Sequence, residues 1–143
     1  MRFWDSSALV PLVLEEPMTA VMEGILDDDR EIVLWWGSIV ECASALSRSL
    51  REKRIGRSIH ESAIRALEEL HARAFEIQPT REVRRRALRL LRLHHISAAD
   101  SFQLSAALAW CGEKTDGAGF VCLDSRLRDA AMREGFEYLP DSP

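Results

Sequence analysis

The 143 residues set 19 Lys and Arg against 23 Asp and Glu, a formal net charge of −4, with 47% apolar and 29% charged residues. That balance suits one globular domain over 1–143 with a full core, and it excludes a chain that binds polyanions through bulk charge alone. Three cysteines (Cys42, Cys111, Cys122) without a CxxC pair exclude a disulfide framework and a zinc site, and no apolar run reaches the ~18 residues of a membrane span, so a cytoplasmic chain with no membrane association is expected.

In chain order, a strand at about 2–5 leads into a helix at 6–15, where Leu9, Leu12 and Val13 share a face. Pro17 suits the first turn of a second helix that fades in Asp27-Asp28-Asp29. Residues 31–36 read as a buried strand, which Gly37-Ser38 ends. Ile39, Ala43, Leu46 and Leu50 mark a third helix that stops near Gly56, and a fourth covers about 58–74. Phe75-Glu76-Ile77 is a short strand candidate. Thr80 is placed to cap a helix at 81–94 and Ser97 one at 98–111, the latter apolar nearly all round and therefore buried. A polar loop at 112–119, a strand at 120–123, a helix at 125–134 stopped by Gly135, and a strand at 136–139 complete the chain. Strands alternating with helices predict the α/β class: a three-layer α/β/α domain with a central, mostly parallel sheet of about five strands.

Four acids stand where apolar runs pass into helices: Asp5, Glu41, Asp100 and Asp124. In an open parallel sheet the carboxyl ends of the strands face one crevice, so these acids are expected to converge there. A cluster of like charges calls for a cation. Hard oxygen donors without His or Cys point to Mg²⁺ or Mn²⁺. Each acid also has a structural reading. Asp5 and Asp124 can cap helices, Ser38-Ile39-Val40-Glu41 has the form of a capping box, and Ser97-Ala98-Ala99-Asp100 is an acidic variant of it. Capping alone does not explain four acids on one inferred edge. Ser7 is read as positioning Asp5 or a water beside the metal. No Ser or His combination forms a nucleophile pair, and no glycine-rich phosphate loop is present.

Asp5-Ser6-Ser7-Ala8-Leu9-Val10, Ser38 to Leu46, Ala98 to Leu104 and Leu123-Asp124-Ser125-Arg126-Leu127 resemble, in order, the motifs of PIN-domain proteins. The length and the ending Ala130 to Phe136 resemble VapC-type toxins of toxin–antitoxin pairs. The resemblance implies a Mg²⁺- or Mn²⁺-dependent endoribonuclease with Asp5, Glu41, Asp100 and Asp124 as catalytic and metal-binding residues, leaving a 5′-phosphate and a 3′-hydroxyl. It also implies a small cognate antitoxin and a homodimer. The alternative is a PIN-like module that has lost catalysis and serves protein interaction.

The basic residues are local. Arg81, Arg84, Arg85, Arg86, Arg89 and Arg92 crowd one predicted helix, whose inner face would be Val83, Ala87, Leu90 and Leu91. Arg85 and Arg89 are the expected RNA contacts, because such clusters hold phosphate backbones without reading sequence. Arg48, Arg51, Lys53, Arg54 and Arg57 form a second basic stretch. Trp4, Trp35, Trp36 and Trp110 could stack bases, but their strand or buried-helix positions point to core packing. Leu9, Leu12, Leu14, Val21 and Ile25 offer apolar surface for a partner on the first helices, or equally belong to the core.

Overall fold

The apolar runs around Phe3, Val33 and Phe120 become the three central strands of a parallel sheet in the computed structural model, which describes residues 1–141. Positions 142 and 143 of the predicted domain lie outside the described residues. The strands are β1 (Arg2–Trp4), β2 (Ile32–Trp35), β3 (Phe75–Ile77), β4 (Gly119–Val121) and β5 (Glu137–Leu139). Between them run helices α1 (Ser6–Leu9), α2 (Thr19–Asp28), α3 (Ser38–Arg51), α4 (Arg57–Arg73), α5 (Arg81–Leu93), α6 (Ala98–Trp110) and α7 (Ser125–Arg133). All four strand pairings are parallel, in the order β3-β2-β1-β4-β5. The chain forms the expected three-layer α/β/α fold.

Alternation along the strands assigns each residue to a layer. Phe3, Val33, Trp35, Phe120 and Cys122 pack under α5, α6 and α7. Trp4, Ile32, Leu34 and Val121 pack under α1 to α4 with Leu9, Met22, Leu46 and Leu67. The three central strands are short and almost wholly apolar, as strands covered on both faces must be. The chain runs outward from β1 to β3, then returns to lay β4 against the other side of β1. The β1/β4 seam is therefore the point where the winding reverses, and it is here that such sheets open a crevice.

Several local expectations change. The helix predicted over 6–15 breaks after Leu9 into a 3₁₀ turn at Val10–Leu12. Pro11 is the cause, since it has no N–H for a helical bond and its ring crowds the carbonyl one turn back. The second helix starts at Thr19, two residues beyond Pro17, with the Thr19 hydroxyl donating to the Pro11 carbonyl at 2.8 Å. The capping box expected at Ser38 does not form: Gly37 is the N-cap, and Ser38 turns its hydroxyl to Gln103 instead. Ser97 and Asp100 do form theirs, with both reciprocal bonds present. On α5, Val83, Ala87 and Leu90 are buried, but Leu91 is 39% exposed. Trp4 and Trp35 lie in the core, whereas Trp36 is 51% exposed.

Gly37 follows from the core beneath it. A Cβ at that position would stand 2.6 Å from Trp35 Nε1, so only glycine lets the chain turn so tightly over the indole.

Candidate active site

Four elements deliver one carboxylate each to the crevice. Asp5 ends β1 and caps α1; Glu41 lies in the first turn of α3; Asp100 lies in the first turn of α6; Asp124 follows β4 and caps α7. All four line a single cleft of about 470 Å³, together with Ser6, Ser7, Val40, Ser44 and Arg48. The α5 arginines are not among its lining. Arg85 pairs with Glu82 at the surface of the α5 side, and the mostly buried Arg86 there pairs with Glu113. Arg89 is exposed on the same helix.

Asp5 is the most enclosed of the four, at 3% exposure. Its Oδ2 accepts from the Ser7 amide at 2.9 Å, from the Ser7 hydroxyl, and from the Cys122 thiol at 3.6 Å. The Ser7 hydroxyl in turn accepts from the Leu123 amide at 2.9 Å. Ser7 therefore ties the carboxyl end of β1 to the segment leaving β4, and holds Asp5 between them. Glu41 is braced from two sides: Oε2 accepts from Ser6 Oγ at 2.7 Å and from Gln103 Nε2 at 3.2 Å. Gln103 is fully buried and also donates to Ser38 Oγ at 3.0 Å, so α3 and α6 are pinned together directly under Glu41.

Each acid engages the protein through one oxygen. Asp5 uses Oδ2, Glu41 uses Oε2, Asp100 uses Oδ2 toward the Ser97 amide, and Asp124 uses Oδ1 toward the Leu127 amide. Among the described residues, no donor reaches the second oxygen of any of them. The bonds that fix these side chains thus leave one oxygen of each carboxylate unengaged.

The electrostatics favour a bound cation. Burial raises the Asp5 pKa from 3.8 to about 6; Ser7 opposes the rise, and the charges of Glu41 and Asp100 add to it. Burial likewise pushes Glu41 up against the hydrogen bonds from Ser6 and Gln103, with Asp100 adding to the rise. A divalent ion would relieve both causes, because it supplies the missing counter-charge. The donor set is all hard oxygen, which fits Mg²⁺ or Mn²⁺. Among the described residues, no three acidic, histidine or cysteine side chains already stand at ion-holding distance. The carboxylates therefore share the cleft without being drawn in around a point.

Other chemistries find little here. The Cys42 thiol is pushed up to about 12 by burial and by Asp5 and Glu41, and Cys122 is pushed up by the same kind of causes. Neither offers a thiolate nucleophile. Among the described residues no histidine lines the cleft, so Ser6 and Ser7 lack the imidazole partner of a serine nucleophile.

One residue escaped the sequence reading, and another was read only within a basic stretch. Arg48 stands seven positions beyond Glu41, on the same side of α3, and is the one cation among the described residues that lines the cleft. The spacing was visible, but Arg48 was submerged in a basic stretch. Gln103 gave no signal, since a buried amide in an apolar helix looks like a polar exception until its partners are known.

The model of the PIN domain family matches residues 2–132, and the chain belongs to that family. No sequence among curated proteins matches it. Among solved structures it is similar to FitAcB from Neisseria gonorrhoeae, with 14% identity and a TM-score of 0.67 over 98% of this chain and 97% of that one. It is similar to PAE2754 from Pyrobaculum aerophilum, with 21% identity and a TM-score of 0.61 over 96% and 88%. A structure of FitAB bound to an IR36 DNA fragment matches at 15% identity and a TM-score of 0.65 over 97% and 94%. At these identities the likeness to solved structures concerns the fold.

Proposed function

We propose that this PIN-domain chain is a Mg²⁺- or Mn²⁺-dependent endoribonuclease, the toxin of a toxin–antitoxin pair, working as a single cytoplasmic domain. The observation that carries the reading is the set of four carboxylates at the winding reversal, each with one oxygen fixed and the other unengaged. Asp5, Asp100 and Asp124 would hold the ion, with Glu41 direct or through water. The ion, when bound, supplies positive charge to the scissile phosphate and acidifies water to a useful nucleophile.

The protein's own part is positioning. Ser7 fixes the rotamer of Asp5, while Ser6 and Gln103 fix Glu41. Arg48 offers a guanidinium fork to a phosphate that must otherwise approach four negative charges. The raised pKa of Asp5 means that proton and ion compete for one carboxylate, so ion affinity falls with pH through about 6.

The test is cleavage of a pool of cellular RNAs by pure protein in Mg²⁺, Mn²⁺ or EDTA, with sequenced ends. Metal-dependent cuts leaving 5′-phosphates are expected. The second reading is a catalytically silent interaction module. Intact RNA in both metals, with the fold verified, would select it.

For the partner, support comes from a groove of about 580 Å³ lined by Leu12, Val13 and Leu26 with Glu23, Asp27 and Arg30, which suits an amphipathic segment of a small antitoxin. Exposed Leu88 and Leu93 on α5 favour self-association as a homodimer. Sizing of the pure chain and co-purification from its native operon check both.

A further inference from the structure

Trp36 is the aromatic residue that the sequence places in the core and the structure does not. It is nevertheless rigidly set. Its amide donates to the Ile77 carbonyl at 3.0 Å, continuing the β2/β3 ladder by one residue. Its ring meets Trp35 edge-on at 6.3 Å, and Trp35 is itself stacked on Phe102 at 5.4 Å and 1°. The close approach of Trp35 to Gly37 fixes the turn that sends Trp36 outward. An indole held this firmly, with half its surface in water, is a platform ready for a flat partner.

Around it lies a second cleft of about 390 Å³, flanked by Thr80, Arg81 and Arg84. Both arginines are exposed. Among the described residues neither guanidinium meets a carboxylate, since Glu82 is taken by Arg85 and Glu113 by Arg86. They also stand in the first turn of α5, where the helix dipole disfavours positive charge. Two unpaired cations beside an exposed ring match one ligand chemistry: a base to stack and a phosphate to bind.

The position relative to the acidic cleft is informative. Trp36 immediately precedes the start of α3, which carries Glu41, and Phe102 follows Asp100 in the first turns of α6. Gln103, next to Phe102, reaches Glu41. The two clefts thus lie on either side of the same pair of helix starts.

We infer that Trp36, Arg81 and Arg84 form a nucleotide subsite that stacks one unpaired base of a single-stranded RNA and holds its neighbouring phosphate, beside the carboxylate cleft. The inference rests on the ribonuclease reading for its substrate, and it selects single strands over duplexes, whose bases are already stacked.

The test is equilibrium binding of a labelled twelve-nucleotide single-stranded RNA to the full chain in EDTA, followed by anisotropy and by tryptophan quenching. Trp36→Ala should weaken binding about tenfold and abolish most of the quenching, while Trp36→Phe retains most of the affinity. Arg81→Gln with Arg84→Gln should lower the salt slope by about 0.7, the value for one lost phosphate contact on a single strand. With metal restored, Trp36→Ala should raise KM and leave kcat near wild type. Wild-type affinity in Trp36→Ala overturns the subsite. So does a Trp36→Ala protein that loses self-association on sizing while binding RNA normally, which would make the platform a contact between copies. Because binding is read without metal, a protein that binds RNA through Trp36 but never cuts it refutes the nuclease reading and not the subsite.

Discussion

The acidic cleft and helix α5 gather charge in opposite ways. The four acids come from both ends of the chain and line one cleft. The six arginines of α5 fall within 13 consecutive residues and serve several different surroundings. Consecutive helical residues turn about 100° from one another, so Arg84 faces the Trp36 cleft, Arg85 pairs with Glu82, and Arg86 reaches across to Glu113. A parallel sheet works the other way, because its strand ends and the helices that flank them open onto one edge. Proximity in sequence disperses charge on a helix. Distance in sequence does not prevent convergence at a sheet edge.

The sharpest way to break this contrast is at Asp5. Asp5→Asn keeps the cap and the volume, so the fold should persist while metal-dependent RNA cleavage drops to background in the RNA-pool assay. The same change should stabilise the metal-free protein. Asp5 binds its proton more tightly folded than unfolded, so between its ordinary 3.8 and about 6 the native state holds more protons. Stability therefore falls as pH rises through that window and stays reduced above it, by about 3 kcal/mol at most for a group this buried. Thermal melts in EDTA from pH 4 to 8 should show that decline in wild type and lose most of it in Asp5→Asn. A variant that melts lower than wild type near neutral pH would mean that the cap outweighs the charge.

Gln103→Leu comes next. It leaves Ser38 and the Glu41 brace without their buried partner, at a cost of about 1–3 kcal/mol in melts. Mn²⁺ affinity by calorimetry should fall with it, since Glu41 is no longer held. Unchanged metal affinity would remove Glu41 from the ion's surroundings.

Arg48→Ala should weaken single-stranded RNA binding and lower the salt slope by roughly 0.7, one phosphate contact, with Mn²⁺ affinity equal or slightly tighter. The smallest effect is expected from Arg85→Ala with Arg89→Ala. Those side chains are outside the cleft and one is already paired, so affinity and salt slope should change less than for Arg48. A larger loss than for Arg48 would return α5 to the centre of RNA binding and undo the comparison.

Much of the fold was legible because short apolar runs, helical periodicity and caps such as Thr80 and Ser97 agree with one another. The placement of the four acids was legible for the same reason: topology, not side-chain detail, brings strand ends together. What the sequence concealed depends on contacts between distant segments. Ser38 abandons its capping box because Gln103 offers a buried partner 65 residues away. Trp36 leaves the core because it stands one residue past the end of β2, on the far side of the chain from the buried Trp35. Pro11 could have been read locally, and its break in the first helix is a turn rule underweighted against the apolar spacing.

Ser7 carries one more consequence. Its hydroxyl accepts the Leu123 amide and donates to Asp5, so a single backbone N–H on the far side of the β1/β4 seam is wired to the deepest carboxylate. Whatever changes the charge or the partner of Asp5 alters the hydroxyl, and the hydroxyl alters that amide. The Leu123 resonance is thus a native spectroscopic probe of the carboxylate, readable in an isotope-labelled sample without touching any residue of the cleft.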